Sequence, residues 1–251
     1  MNRFEMNKME ADPILQQASM NFGNRSVSSA KVFSILMRNV YTWMTLALAI
    51  TAFTALYMTK NLSLMTSMMQ SSFSFWGLII AQFAVVIILS SRIDRMSFMT
   101  AGILFALYSI LTGVTLSTVF MVFTASSIAS TFFITAGTFA AMSAIGYVTK
   151  KDMSGMGRFL MMTLIGLIIA SIVNLFIHST MLMWITSFVG VILFSGLTAY
   201  DTQKIKHMLM MHGNEVNDGT MKLALLGSLT LYLDFINLFL YLLQFMGSRE
   251  E

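Results

Sequence analysis

The chain has 251 residues, of which 57% are hydrophobic and 10% charged, with a net charge of +4, one proline and no cysteine. Soluble domains carry about 25% charged residues, and fifteen Lys and Arg with eleven Asp and Glu cannot cover so much apolar mass. A mean hydropathy of +0.76 thus excludes a soluble enzyme, a nucleic-acid binder or a disordered chain, and indicates an integral membrane protein.

Residues 1–30 are polar, lack the apolar core of a signal peptide and are expected to form a cytoplasmic tail ahead of a seven-helix transmembrane domain at 31–251. A bilayer core of about 30 Å needs about 20 apolar residues as a helix. Seven such stretches follow in order: Met37–Met58, Phe75–Leu89, Phe98–Phe123, Ile128–Val148, Phe159–Ile177, Leu182–Tyr200 and Leu223–Met246. Their apolar runs are continuous, whereas a membrane barrel would alternate, so the fold class is an all-α membrane bundle. Gly213-Asn214-Glu215 and Asn217-Asp218-Gly219 mark a turn between the last two spans. Lack of cysteine removes disulfides, thiolate metal sites and cysteine nucleophiles together.

Basic residues set the orientation. Arg3, Lys8, Arg25, Lys31 and Arg38 precede the first span; Arg92 and Arg95, then Lys150, Lys151 and Arg158, then Lys204, Lys206 and Lys222 occupy loops on that same side. The opposite side holds only Lys60 and Arg249. Cytoplasmic loops collect Lys and Arg, so the N-terminus is expected inside and, after seven crossings, the C-terminus outside. The basic balance therefore reports orientation and contact with anionic headgroups, not nucleic acid.

Nine of the eleven acids fall in tails or loops; Asp201 and Asp234 lie in or at the edge of spans. An ionisable residue at depth costs roughly 3 kcal/mol on insertion scales and is a functional hypothesis by default. In the last span Gly227, Thr230, Asp234, Asn237, Tyr241 and Gln244 recur at helical spacing, a polar stripe that should face protein or water. This helix is therefore expected in the middle, ringed by the other six. Thr131, Thr135 and Thr138 on the fourth span, and Ser171, Asn174 and His178 on the fifth, form further stripes; these read equally as interhelical hydrogen-bond glue.

If the sixth helix runs on to about Met210, antiparallel packing can bring Asp201 and Asp234 together. In a poorly hydrated site both acids cannot ionise cheaply, and the pair titrates as a unit. That suits a proton-sensitive gate or a weak cation site with Thr198, Thr230, Asn237 and Tyr241 lining the pore. It does not suit a tight calcium cage of six to eight oxygens, so no tightly bound cofactor is expected. Arg92 or Arg95, at the end of the second span, is either a gate counter-ion or an inside-positive anchor. His207 and His212 are five apart and share no helical face, and no His-Glu-x-x-His motif is present.

Gly196-Leu-Thr-Ala-Tyr-Asp-Thr-Gln203, followed by Ile205, together with Leu231-Tyr-Leu-Asp-Phe-Ile-Asn-Leu-Phe239, resembles the paired signatures of the Bax inhibitor family, also called transmembrane Bax inhibitor motif proteins. The resemblance covers most of the chain after residue 30. It implies six helices around a central seventh and a pH-sensitive calcium leak gated by an aspartate pair, here Asp201 and Asp234, with Arg92 or Arg95 closing against it. It also implies, for bacterial relatives, partnership with a membrane AAA protease. The 25 methionines and short polar loops point to the bacterial branch and hence to a multi-pass plasma membrane protein of the bacterial inner membrane.

Three functional classes remain in view. The favoured one is a passive cation channel acting on Ca2+ and protons within the lipid bilayer, not an enzyme and without a nucleotide motif for pumping. The second is a regulator that binds a membrane protease or cell-death factor without transport. The third is an intramembrane aspartyl protease, since two carboxyls sharing a proton can activate water. Tyr200-Asp201 resembles half of that active site, but Asp234 follows Leu231-Tyr-Leu where Gly-x-Gly is required.

Overall fold

The structure, a computed structural model, describes residues 13–61, 72–212 and 215–249, with side chains for 30–61, 76–212 and 215–249. Residues 1–12 of the expected tail, the side chains of 13–29 and of Phe75, and Gly213-Asn214 of the expected turn lie outside the described residues.

Seven long helices follow one another: α1 Pro13–Lys60, α2 Ser72–Arg92, α3 Phe98–Val122, α4 Ala125–Val148, α5 Ser154–Ile177, α6 Thr180–His212 and α7 Asp218–Met246. A single 3-10 turn, Ile93–Arg95, joins α2 to α3. All seven are long and apolar enough to cross a membrane. Among the described residues there is no strand, only an isolated antiparallel bridge between Phe123 and Arg249.

The helices outrun the apolar stretches. Pro13 opens α1, a position where a proline has no amide bond to lose; α6 continues past Tyr200 to His212, and α7 starts at Asp218. Hydropathy marks the part of a helix that meets hydrocarbon, whereas its ends are set by capping. Ser97 caps α3 by accepting from Thr100 N, Thr124 caps α4 by accepting from Ser127 N, and Asn217 forms a reciprocal capping box with Thr220 at the start of α7. Each satisfies amides that the first helical turn leaves open.

Burial is graded across the helices. In α7, 61% of the most apolar window is buried, against 11% in α2 and in α5. The main packing partners of α7 are α6, α1, α4 and α3, while the body of α2 leans on α3 and α5 leans on α6. Leu225, Leu231, Tyr232, Leu238 and Leu243 of α7 are fully enclosed, whereas Phe53, Phe133 and Phe176 face outward, as a protein surrounded by acyl chains requires. Small residues bring backbones close, as in membrane helix pairs generally: a Cβ on Gly146 of α4 would overlap the Ala199 carbonyl of α6.

Two connections are tied to the ends of α7. Asp218 accepts from Phe98 N at 3.2 Å, and Lys222 donates to Met96 O at 3.2 Å while pairing with Asp218. At the other end Thr124 N donates to Ser248 O (3.1 Å) and Ser248 N donates to Ser127 Oγ (2.9 Å).

Candidate intramembrane acid site

Asp234 stands near the middle of α7, about 24 Å from its first residue and about 18 Å from its last at 1.5 Å rise per residue. It is 5% exposed. Asp201 is half-buried on α6, the antiparallel neighbour. The two carboxyl groups lie in side-chain hydrogen-bond contact. Asp234 Oδ2 is buried and receives no bond from the fixed donors around it. Lys204, one turn along α6, is the cation that acts electrostatically on Asp201.

The residues flanking Asp201 fix its direction. The ring of Tyr200 lies where a Cβ on Gly157 of α5 would be. Thr202 Oγ1 and Ser143 Oγ are 3.1 Å apart, and Ser143 Oγ lies 2.6 Å from the Tyr41 hydroxyl of α1. Gln203, 3% exposed, holds the α4–α5 connection. Its Nε2 donates to Thr149 O and Lys151 O, and its Oε1 accepts from Met153 N. With Tyr200, Thr202 and Gln203 committed to α5, α4 and the loop, α6 is locked in rotation and Asp201 is turned to α7. Thr202 and Gln203 belong to the motif read from the sequence but were assigned no part; hydrogen-bonding side chains within an apolar helix were the available signal.

On α7 the corresponding lock is Tyr232. Its hydroxyl donates to Thr51 Oγ1 (2.7 Å), which donates to Ser109 O (2.9 Å), and its ring packs edge-on to Phe105 and Tyr108. Two residues along a helix is about 200° of rotation, so anchoring Tyr232 to α1 and α3 points Asp234 the opposite way, toward α6.

The stripe continues from Asp234 in both directions along α7. Asn237 Nδ2 donates to Leu233 O, Thr230 to Leu226 O, and Thr198 of α6 to Phe194 O. The two threonine hydroxyls donate to their own helices and Asn237 commits one N–H to its own, so each side-chain oxygen keeps lone pairs for other partners. Tyr241 stacks on Phe194 with ring centroids 5.6 Å apart and lies against Gly190. Beyond it Gln244 accepts from Ser187 at 2.8 Å. There a cavity of about 470 Å³ is lined by Ser171, Asn174, His178, Gln244 and Arg249. His178 has a structural place: it ends α5 in the left-handed conformation (φ 53°).

The arginines are not brought to the acids. Arg92 and Arg95 are exposed at the end of α2 and in the 3-10 turn, and the one salt bridge among the described residues joins Lys222 to Asp218. On the fourth span, Thr131 and Thr135 are buried and Thr135 bonds its own helix. Chemically, the site offers two carboxyls and nearby neutral oxygens in a setting where their charges cannot both be well solvated.

Residues 34–251 match the family model described as inhibitor of apoptosis-promoting Bax1. The chain is 51% identical over 214 residues to the inner membrane protein YbhL of Escherichia coli strain K12, which spans 85% of this chain and 92% of that protein. It is 45% identical over 224 residues to an uncharacterized protein of Borreliella burgdorferi, covering 86% and 95% of the two chains. It is also 45% identical over 217 residues to the uncharacterized protein RP147 of Rickettsia prowazekii, covering 86% and 90%.

Proposed function

The chain belongs to the Bax inhibitor-1 family, and from that premise we propose that it is a pH-sensitive calcium leak of the bacterial inner membrane, gated by Asp201 and Asp234. The observation that carries this reading is the contact between the two carboxyls at mid-depth of α7. A hydrogen bond between two carboxyls needs a proton. When that proton leaves, two like charges face each other in a poorly hydrated site, and they separate or take up a divalent cation.

The oxygens of Thr198, Thr230 and Asn237 supplement the carboxyls as weak, exchangeable ligands. Passage toward the cavity beside Gln244 runs past Tyr241. One of Arg92 and Arg95 serves as counter-ion in a state in which the end of α2 leans further in, moving with the segment around Met96 and Phe98 that is bonded to Lys222 and Asp218. The excess of Lys and Arg on one side supports an N-terminus in the cytoplasm and a C-terminus opposite. An inner-membrane setting fits the seven apolar helices and the name of the E. coli relative.

Calcium flux into liposomes holding the purified chain, measured between about pH 5 and 8, the range open to a coupled carboxyl pair, tests the reading. Flux that changes with pH supports it. Absence of flux throughout removes it. A cellular phenotype that survives Asp234→Asn while flux disappears assigns that phenotype to a binding role.

A further inference from the structure

A groove runs the height of the protein between α1 and α4. Both helices pack on α7, yet they barely touch each other; near one end the Tyr41–Ser143 hydrogen bond and the stacked Phe33–Tyr147 rings cross the gap. Two cavities occupy it, of about 490 and 700 Å³, sharing Leu48, Phe132 and Phe235. Their floor is aromatic: Phe235 of α7 packs at 5.7 Å from Phe132 and 5.5 Å from Phe139. The wall on α4 is small, with Ala136, Ala140 and Ala144.

The dimensions indicate what fills it. On α1 the larger cavity extends from Met37 to Leu48, about 16 Å of helix, or half of the roughly 30 Å hydrocarbon thickness. That is the depth of one leaflet. A mostly apolar trough of that depth, floored by Phe132, Phe139 and Phe235, suits an acyl chain lying along it.

Charge selects the headgroup. At the Met37 end the Arg38 side chain lines the large cavity and a smaller one beside it, and among the described residues its guanidinium makes no ion pair. Lys206 reaches the same rim: its Nζ donates to Tyr147 O (2.8 Å) and sits 5.2 Å over the Tyr147 ring. No acidic residue lines either cavity of the groove. Basic pockets between membrane helices recruit anionic lipid headgroups.

We propose that the α1–α4 groove is a binding site for one anionic phospholipid, its acyl chain laid against Phe132, Phe139 and Phe235 and its phosphate against Arg38 and Lys206. This rests on neither the acid pair nor transport. The test is native mass spectrometry of the detergent-purified full chain titrated with phosphatidylglycerol or with phosphatidylcholine of the same acyl composition. Melting is followed in parallel by fluorescence of its three tryptophans.

Expected is one saturable phosphatidylglycerol per chain, preferred about tenfold over phosphatidylcholine. Arg38→Gln cuts that preference about fivefold, the effect of one surface cation on an anionic lipid. Arg158→Gln, an exposed basic residue on α5, leaves it unchanged. Ala140→Trp fills the groove and abolishes retention of either lipid; should that variant not fold, Ala144→Leu on the same exposed wall must weaken binding. Equal retention of the two lipids, an equal loss in Arg158→Gln, full binding in a folded groove-filled variant, or a second polypeptide cross-linking from position 140 in place of lipid would each overturn the proposal.

Discussion

The Asp234 carboxyl of α7 meets that of Asp201 across the α6–α7 interface, and its second oxygen is buried without a bond from the surrounding donors. Nothing in that arrangement serves packing that an amide would not serve better. Asp234→Asn supplies a permanent donor to Asp201 and removes the need for a shared proton, so its thermal stability at neutral pH is expected to stay within about 1 kcal/mol of the parent. Calcium flux of both Asp234→Asn and Asp201→Asn should lose its dependence on pH. Retention of the parental profile in either variant would exclude that residue from the gate.

Tyr241, stacked on Phe194, stands on the α7 stripe between Asn237 and the cavity beside Gln244. The absence of native cysteine allows a clean accessibility measurement. A cysteine at Asn237 should react slowly with a membrane-impermeant thiol reagent, and at least about tenfold faster when Tyr241→Ala is added. A cysteine at Gln244 should react fast in both backgrounds. Equal rates at position 237 with and without the ring would remove Tyr241 from the pathway.

Gly146 of α4 lies so close to the Ala199 carbonyl of α6 that no side chain fits. Gly146→Ala is expected to cost about 3 kcal/mol, the upper end for overpacking, because the obstacle is backbone. Gly166 of α5 has nothing within 4 Å of a Cβ, so Gly166→Ala should be neutral or stabilising by up to about 1 kcal/mol through helix propensity. Denaturant melts of the two variants in one detergent compare them directly.

Gln203 satisfies two carbonyls and one amide of the α4–α5 connection from a buried position. Gln203→Leu leaves all three open, at about 1–3 kcal/mol for each group that water cannot reach. Trypsin cleavage after Lys150 or Lys151 should accelerate roughly tenfold, corresponding to about 1.4 kcal/mol less protection against local opening. An unchanged cleavage rate would mean the loop is held by other contacts.

Asp152, in that loop and fully exposed, accepts from the side chain of Ser154 (2.6 Å) and from its amide (2.9 Å). These bonds hold its carboxyl below the usual carboxylate range. A pKa lowered by folding stabilises above the unfolded value, about 3.9, and that contribution is lost as pH falls through the folded one. Asp152→Asn should therefore melt slightly lower than the parent at pH 7, with the difference closing as the pH is taken down through the carboxylate range. A gap that stays constant with pH would assign the effect to the lost geometry alone.

The spans and the two acids were legible because each depends on sequence-local properties: continuous apolar length, and the register of a polar stripe on one helix. Side chains that reach between distant segments were not. Tyr232 binds Thr51, and Gln203 binds a loop some fifty residues earlier; neither pairing leaves a periodic trace. The exposure of Arg92 and Arg95 depends on how α2 sits against its neighbours, and the α1–α4 groove arises from two helices failing to meet. The extension of α6 past Tyr200, which hydropathy leaves open and the pairing of the two acids requires, runs to His212 and carries Ile205 and Leu209 into the core.

The bonds from Asp218 and Lys222 to the segment around Met96 and Phe98 have a mechanical consequence. They moor the corner that carries Arg92 and Arg95 to the foot of α7, so any tilt of α7 would be transmitted there as by a lever. The same moorings would let a force applied to that corner from the aqueous side reach the acids without any contact with them.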